Sequence, residues 1–448
     1  MNRREYLRRA GRWPLLGLAG GLLSGPAVGL AGDYRALVVV HLVGGNDGSN
    51  CLVPTDAAYA DYARARGELA LPRDSLLALD GPTGDHRLGL HPALAPLAPL
   101  YARGRLAWLL NAGPLEEPAT ARQVIEGSVA VPPMLMSHVD QQAIQQGWEG
   151  GEDPSGWAGR ALELLPAPLR HGLAGASFDS QRTLVLGRNT PVSWIGEDPG
   201  ALNTWGRADL SRPGQVMTQV LQEWARPGDE NAYRAEYART LQRQMADAAE
   251  LARAVALGPV PGTDFGPGAL AGPLRTLARL LPAFATLGYR RQVFLVSVGG
   301  FDTHAAQRGS ALRSQDTQLD LMARALAGFD AATLAAGLDA QVATLVISDF
   351  GRTLRPTAGG SDHGWGNHWW AFGGPVAGRQ AIGRFPQLVL GGPDDADPGA
   401  AGRLVPTLAT DQVGAALMRW MGLEAERLPQ VFQRLSRFEA SPLGLLQA

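Results

Sequence analysis

The sequence predicts an α/β protein built on a doubly wound, mostly parallel sheet with helices on both faces. Three observations carry this. Near-continuous apolar, β-branched runs at 36–43, 293–298 and 342–347 read as strands buried on both faces. Each runs straight into a polar loop rich in Gly, Asp or Ser. Between the last two lies an apolar-periodic stretch at about 314–334, which makes a βαβ unit. A right-handed crossover leaves its strands parallel, with their C-terminal ends on one edge.

Taken in order, Arg3-Arg4 stand before a weakly apolar, Gly-rich stretch, and Gly29-Leu30-Ala31 is a small-x-small pattern. Residues 1–31 therefore read as a Tat-type signal peptide, the alternative being an uncleaved amphipathic arm. Their removal takes away five Arg and one Glu and moves the formal charge from −2 to −6. Residues 32–448 read as a single α/β domain with a mainly helical insertion around 150–290. The first strand leads into Gly44-Gly45-Asn46-Asp47-Gly48, whose glycines permit positive φ and suit a loop placing Asp47 at a site, or a tight turn. His91 to Leu100 reads as a helix shortened by prolines, and 105–110 as a strand. Ser137-His138 precedes a Gln-rich helix and offers a nucleophile with a polar partner, or a helix cap. Further on, 182–186 is a strand candidate, 216–253 a long helix, 258–272 a linker and 274–287 an apolar helix. Gln387 to Leu390 reads as a late strand, and helices at 407–422 and 427–435 close the chain.

Composition excludes several classes. All 40 cations are Arg, which removes Lys Schiff-base chemistry and a Walker-type phosphate loop. A formal charge of −2 gives no nucleic-acid footprint. The single cysteine, Cys51, permits no intramolecular disulfide and no Cys-rich metal site. No apolar run is long enough for a stable membrane span.

Three polar clusters remain: Gly299 to His304, Ser348 to Thr353, and Asp362 to His368. In extended backbone the spacing Asp302-x-His304 puts both side chains on one side. Asp and His are the usual oxygen and nitrogen ligands of Zn²⁺ or Mn²⁺, and Arg352 could grip an anion in bidentate fashion. Singly, Asp302 could cap a segment, His304 could be a satisfied loop histidine, and His363 and His368 could brace a Gly-rich loop. Trp365, Trp369 and Trp370 could wall a pocket or simply pack.

The stretches Gly44 to Gly48, His91-Pro92-Ala93-Leu94, Ser137-His138, Gly156-Trp157, Gly300 to His304, Phe350 to Thr353 and Asp362 to His368 resemble the DUF1501 family. That family looks like a distant relative of the alkaline phosphatase and sulfatase superfamily. The resemblance implies an alkaline-phosphatase-like domain with a metal site at the strand ends. It implies a ligand set of Asp47, Asp302, His304, Asp349 and His363 or His368, holding Zn or Mn, with Ca also compatible. Phe350 stands where the superfamily has a second-metal histidine. The C-x-P-x-R sulfatase motif is absent. Ser137 is the nucleophile candidate, with Cys51 behind it, and Arg352 the anion binder. The expected function is an exported metal-dependent hydrolase of phosphate or sulfate esters. Its substrate would be a small anionic ester or a glycan or polymer bearing one, and the Tat translocase would carry it to the periplasm or beyond. The alternatives are a one-metal hydrolase using water, and a non-catalytic binding or assembly protein with a degenerate metal site.

Overall fold

The computed structural model describes residues 33–180, 182–196, 212–226, 231–439 and 443–447. The signal-peptide expectation, with Arg3 and Arg4, lies outside them. In chain order the elements that position the site are β1 (Arg35–Leu42), β2 (Leu106–Gly113), α1 (His138–Gln145), α2 (Trp157–Leu164), β3 (Gly175–Ser177), β4 (Ser193–Trp194), α3 (Arg212–Trp224), α4 (Ala232–Leu257), α5 (Ala271–Thr286), β5 (Arg291–Val298), α6 (Gln315–Ala335), β6 (Val342–Ser348), β7 (Arg352–Thr357), β8 (Gly360–His363), β9 (Asn367–Phe372), β10 (Gln380–Ile382), β11 (Leu408–Ala409) and α7 (Thr410–Trp420).

Nine strands form one sheet in the order β10-β2-β9-β6-β1-β5-β3-β4, with β11 added against β2. Every pairing is parallel except those of β9, which runs antiparallel to β2 and β6. β5 and β6 are parallel, as the βαβ reading expects, but β1 lies between them. The pleat explains why β1 is apolar throughout. Val38, Val40 and Leu42 enter a core shared with α5 and α6, while Leu37 and Val39 enter the opposite core with α2 and α7. His41 shares the parity of Leu37 and Val39, so its imidazole is directed to the second face at the end of the strand.

Several expected elements differ. Gln387 to Leu390 forms no strand, because the Gln387 N–H bonds the Asp394 side chain instead of a neighbouring strand. Residues 183–185 make a 3₁₀ turn, and the strand this region adds beside β5 is β3. The long helix expected at 216–253 is two helices, α3 and α4. The described residues of the middle region carry α2 to α5 and also supply β3 and β4 to the main sheet. Among the described residues no helix is long and apolar enough to cross a membrane.

One buried carboxylate marks a pH-sensitive point of the fold. Burial pushes the Asp411 carboxyl, in the first turn of α7, up to about 6, with Arg434 pulling the other way and Glu149 adding to the rise. Its ordinary value is 3.8, so between the two values the folded state holds the proton more tightly. Stability from this group is present at low pH and lost as pH rises through that window. Asp411→Asn is expected to raise stability at neutral pH by about 1–3 kcal/mol and to flatten the slope between pH ~4 and ~6. Urea melts at a series of pH values measure both, and an unchanged slope would assign the titration elsewhere.

Candidate metal centre

The site forms beyond the C-terminal ends of β1, β5 and β6, where open α/β sheets place ligands. The loop after β5 carries Asp302, and the loop after β1 packs directly against it. Gly44, at φ +118°, lies so close that a Cβ there would stand 2.4 Å from the Asp302 backbone nitrogen. Arg352 opens β7 and is fully buried. Its Nη1 donates to Asp302 Oδ1 at 2.9 Å and to the Gly44 carbonyl, its Nε to Ser361 Oγ, and its Nη2 to the Ser361 carbonyl. Burial pushes the Asp302 carboxyl up, but Arg352, His304 and His138 together hold it below the usual range.

Three imidazoles close on the same oxygen. His138 opens α1, His304 follows Asp302 by two residues, and His363 ends β8. Their Nε2 atoms lie 3.5, 3.0 and 3.4 Å from Asp302 Oδ1, and those of His304 and His363 are 3.0 Å apart. Ligands about 2.0–2.1 Å from a tetrahedral Zn²⁺ stand roughly 3.3 Å from one another, and the His138 and His363 separations from Asp302 match that spacing. The hairpin carrying His363 is fixed by the Ser361 N–H on the Thr303 carbonyl and the Gln307 N–H on the Gly359 carbonyl.

What lies behind the imidazoles sets which nitrogen faces inward. His363 Nδ1 bonds the Met136 carbonyl at 2.8 Å, which can only accept, so this nitrogen carries a proton and Nε2 keeps its lone pair when the ring is neutral. His138 Nδ1 bonds Asp349 Oδ2 at 2.7 Å. Metal-bound histidines use their second nitrogen in this way, on a carboxylate or a backbone carbonyl. His138 Nε2 is buried without a hydrogen-bond partner, which is what a ligand nitrogen awaiting an ion looks like. The donor set therefore fits a divalent cation. The hydrogen bond to Asp349 raises the His138 pKa against the opposing effect of burial. Burial lowers that of His363, helped by His138 and Arg352. The Phe350 ring lies 4.8 Å from both imidazoles and wedges them in place.

Asp349 is held from all sides. It accepts from His41 Nε2 at 2.9 Å, Gly44 N at 3.0 Å and Gln142 Nε2 at 3.1 Å, besides His138. Burial alone would raise its pKa, but these partners hold it well below the carboxylate range. Asp349→Asn is expected to weaken metal binding by ~10–100-fold, as loss of an outer-shell partner does. A chelator competition measures it, and an unchanged affinity would dissociate Asp349 from the centre.

The structure brings together Asp302, His304 and His363 of the expected ligands. Asp349 stands one layer behind, both oxygens engaged. Asp47 is elsewhere: its buried carboxylate pairs with Arg66 and accepts from Gln307. His368 lies on β9 with Nδ1 accepting from the Asn111 N–H and its ring stacked on Phe385, and burial pushes its pKa down to about 3. Ser137, the nucleophile candidate, is the N-cap of α1 and its hydroxyl is engaged by Asp140. The Arg352 guanidinium, expected to bind an anion, is buried and bonded to Asp302, Gly44 and Ser361. Cys51 is fully buried and its thiol pKa is raised by burial, which removes it as a nucleophile. Trp365, Trp369 and Trp370 are all buried and pack.

Sequence reasoning placed His138 beside Ser137 but outside the ligand set. It missed His41, a lone imidazole in an apolar strand, and Asp362, whose Oδ1 lies 3.8 Å from His304 Nδ1. The usable signal was the cap itself, since a capping Ser137 leaves His138 as the pair's chemical member.

A family model described as "Protein of unknown function (DUF1501)" matches residues 34–396. None of the curated proteins matches the chain. Among solved structures, the lipoteichoic acid synthase LtaP from Listeria monocytogenes is 8% identical, with 88% of this chain and 74% of that one covered and a TM-score of 0.35. The PsFucS1 sulfatase from Pseudoalteromonas sp. is 8% identical over 88% and 69%, with a TM-score of 0.34. The phosphonate monoester hydrolase SpPMH from Silicibacter pomeroyi is 10% identical over 88% and 74%, with a TM-score of 0.30. Likeness of this extent carries no argument about what this chain acts on.

Proposed function

The chain belongs to the DUF1501 family, and we propose that it is an exported, metal-dependent hydrolase of phosphate or sulfate esters. The observation carrying this reading is the convergence of three imidazole Nε2 atoms within 3.5 Å of Asp302 Oδ1. His138, Asp302 and His363 would hold the ion, Zn or Mn, since a nitrogen-rich set suits these better than Ca. A divalent cation there supplies Lewis acidity to an ester oxygen. Ser137 and Cys51 are committed elsewhere, so the reading takes water as the nucleophile. Its oxygen bonds to phosphorus or sulfur, the ester oxygen departs as an alcohol with one proton, and the second proton leaves through a base.

We assign that base to His304. Its ring is half-exposed, and among the described residues its Nδ1 makes no hydrogen bond, Asp362 lying 3.8 Å away, so that side of the ring is less fixed than in His138 or His363. Arg352 and Asp349 are positioning residues that hold Asp302 and His138. Arg3-Arg4 supports export by the Tat translocase to the periplasm or beyond, and the substrate is a small anionic ester or a glycan or polymer bearing one. Metal analysis of the purified protein, followed by turnover of nitrophenyl phosphate, bis-nitrophenyl phosphate and nitrophenyl sulfate, tests the reading. His304→Gln is expected to keep the metal and lower kcat by ~10²–10⁴-fold, the usual contribution of a general base. A second reading, a binding or assembly protein without turnover, is favoured by the commitment of Ser137 and Cys51. Stoichiometric metal with no ester hydrolysis would select it.

A further inference from the structure

We infer that His41, with Gln146 behind it, is a positioning pair that dictates which nitrogen His138 turns to the centre and so sets its metal affinity. This rests on the metal reading above. The argument follows donors and acceptors inward from the backbone. The Leu184 N–H donates to Gln146 Oε1 at 2.9 Å, which fixes the direction of that amide. Gln146 Nε2 therefore faces His41 Nδ1, 3.3 Å away, and a donor there requires an acceptor, so Nδ1 carries no proton. The His41 proton then sits on Nε2, which donates to Asp349 Oδ1 at 2.9 Å. Asp349 Oδ2 is left to His138 Nδ1–H at 2.7 Å, and the His138 Nε2 lone pair faces Asp302.

The links from Leu184 through Gln146 and His41 to Asp349 are buried, so water cannot substitute for a missing partner there. His41, Gln146 and Asp349 are all essentially inaccessible. A polar imidazole at this place in β1 carries a penalty that an apolar residue would avoid, and its presence fits a task in this chain of bonds. His41 touches neither Asp302 nor another imidazole of the cluster. It acts only through Asp349.

The test is a competition measurement of Zn²⁺ affinity on the full chain, with the d–d spectrum of the cobalt-loaded protein as a second readout. His41→Leu keeps the volume but donates nothing, and is expected to weaken binding by ~10–100-fold and to shift the cobalt spectrum. His41→Gln places an amide N–H near the position of Nε2 and is expected to restore affinity to within ~3-fold of the parent. Gln146→Leu, which leaves β1 untouched, should weaken binding in the same direction. A folded His41→Leu protein that binds within ~2-fold of the parent, or a Gln variant no better than the Leu variant, overturns the inference. If His41→Leu does not fold, Gln146→Leu decides alone by the same criterion. Failure of the parent protein itself to bind Zn²⁺ or Co²⁺ would instead defeat the metal reading and this inference with it.

Discussion

His363→Ala is expected to leave the purified protein without stoichiometric metal, with affinity lowered by more than ~100-fold, and without ester hydrolysis. Of the two imidazoles that would hold the ion, His363 is the one whose loss leaves more behind intact. Its Nδ1 bonds one backbone carbonyl, and its hairpin is held by backbone bonds at Ser361 and Gln307. The variant should therefore fold, and a near-native melting profile would confirm that the loss belongs to the centre. Ser137→Ala is the informative contrast. It removes a helix cap, so about 1 kcal/mol of stability should go while metal and turnover stay. Turnover lost in Ser137→Ala with metal retained would restore Ser137 as the nucleophile. Retention of metal in His363→Ala would dismantle the centre as described.

Asp47→Ala should behave in the opposite way, losing stability and keeping metal. Asp47 and Arg66 are both fully buried, and Arg66 also donates to the carbonyls of Thr353 at 2.7 Å and Leu354 at 3.0 Å, tying the loop after β1 to β7. Removing the carboxylate leaves the guanidinium without its counter-charge in the interior, and the Gln307 amide loses the closer of its two acceptors, at 2.6 Å. Breaking a buried pair from one side destabilises by about 3–5 kcal/mol. Denaturant melts measure the loss, and metal analysis well below the melting temperature measures the other half. A stable Asp47→Ala protein that had lost its metal would return Asp47 to the ligand set.

The strands were legible in the sequence because burial on both faces leaves a continuous apolar run, as at Ala36 to Val40, whatever they pair with. The loops after them were legible because Gly44 and Gly300 beside Asp or Asn break such a run in a recognisable way. Asp302 and His304 followed from residue type and spacing, and His363 or His368 from the family resemblance. The sequence could not separate Asp302 from Asp47, since both are acids in Gly-rich loops after buried strands. One is held by Arg352 at the open rim and the other by Arg66 in the interior. Nor could it separate His363 from His368, five positions apart, because alternation along β8 and β9 depends on where each strand begins.

What the sequence alone determined was the layout: an α/β sheet, an edge where its strands end, and the acids and imidazoles found there. What only the tertiary structure decided was which nitrogen and which oxygen face the centre. Periodicity is written into neighbouring residues, so it can be read locally. The orientation of His138 depends on Asp349, 211 residues away, and that of Asp349 on His41, 308 residues away. A ring's direction is set by the donors and acceptors packed against it, and those come into contact only when the sheet has formed.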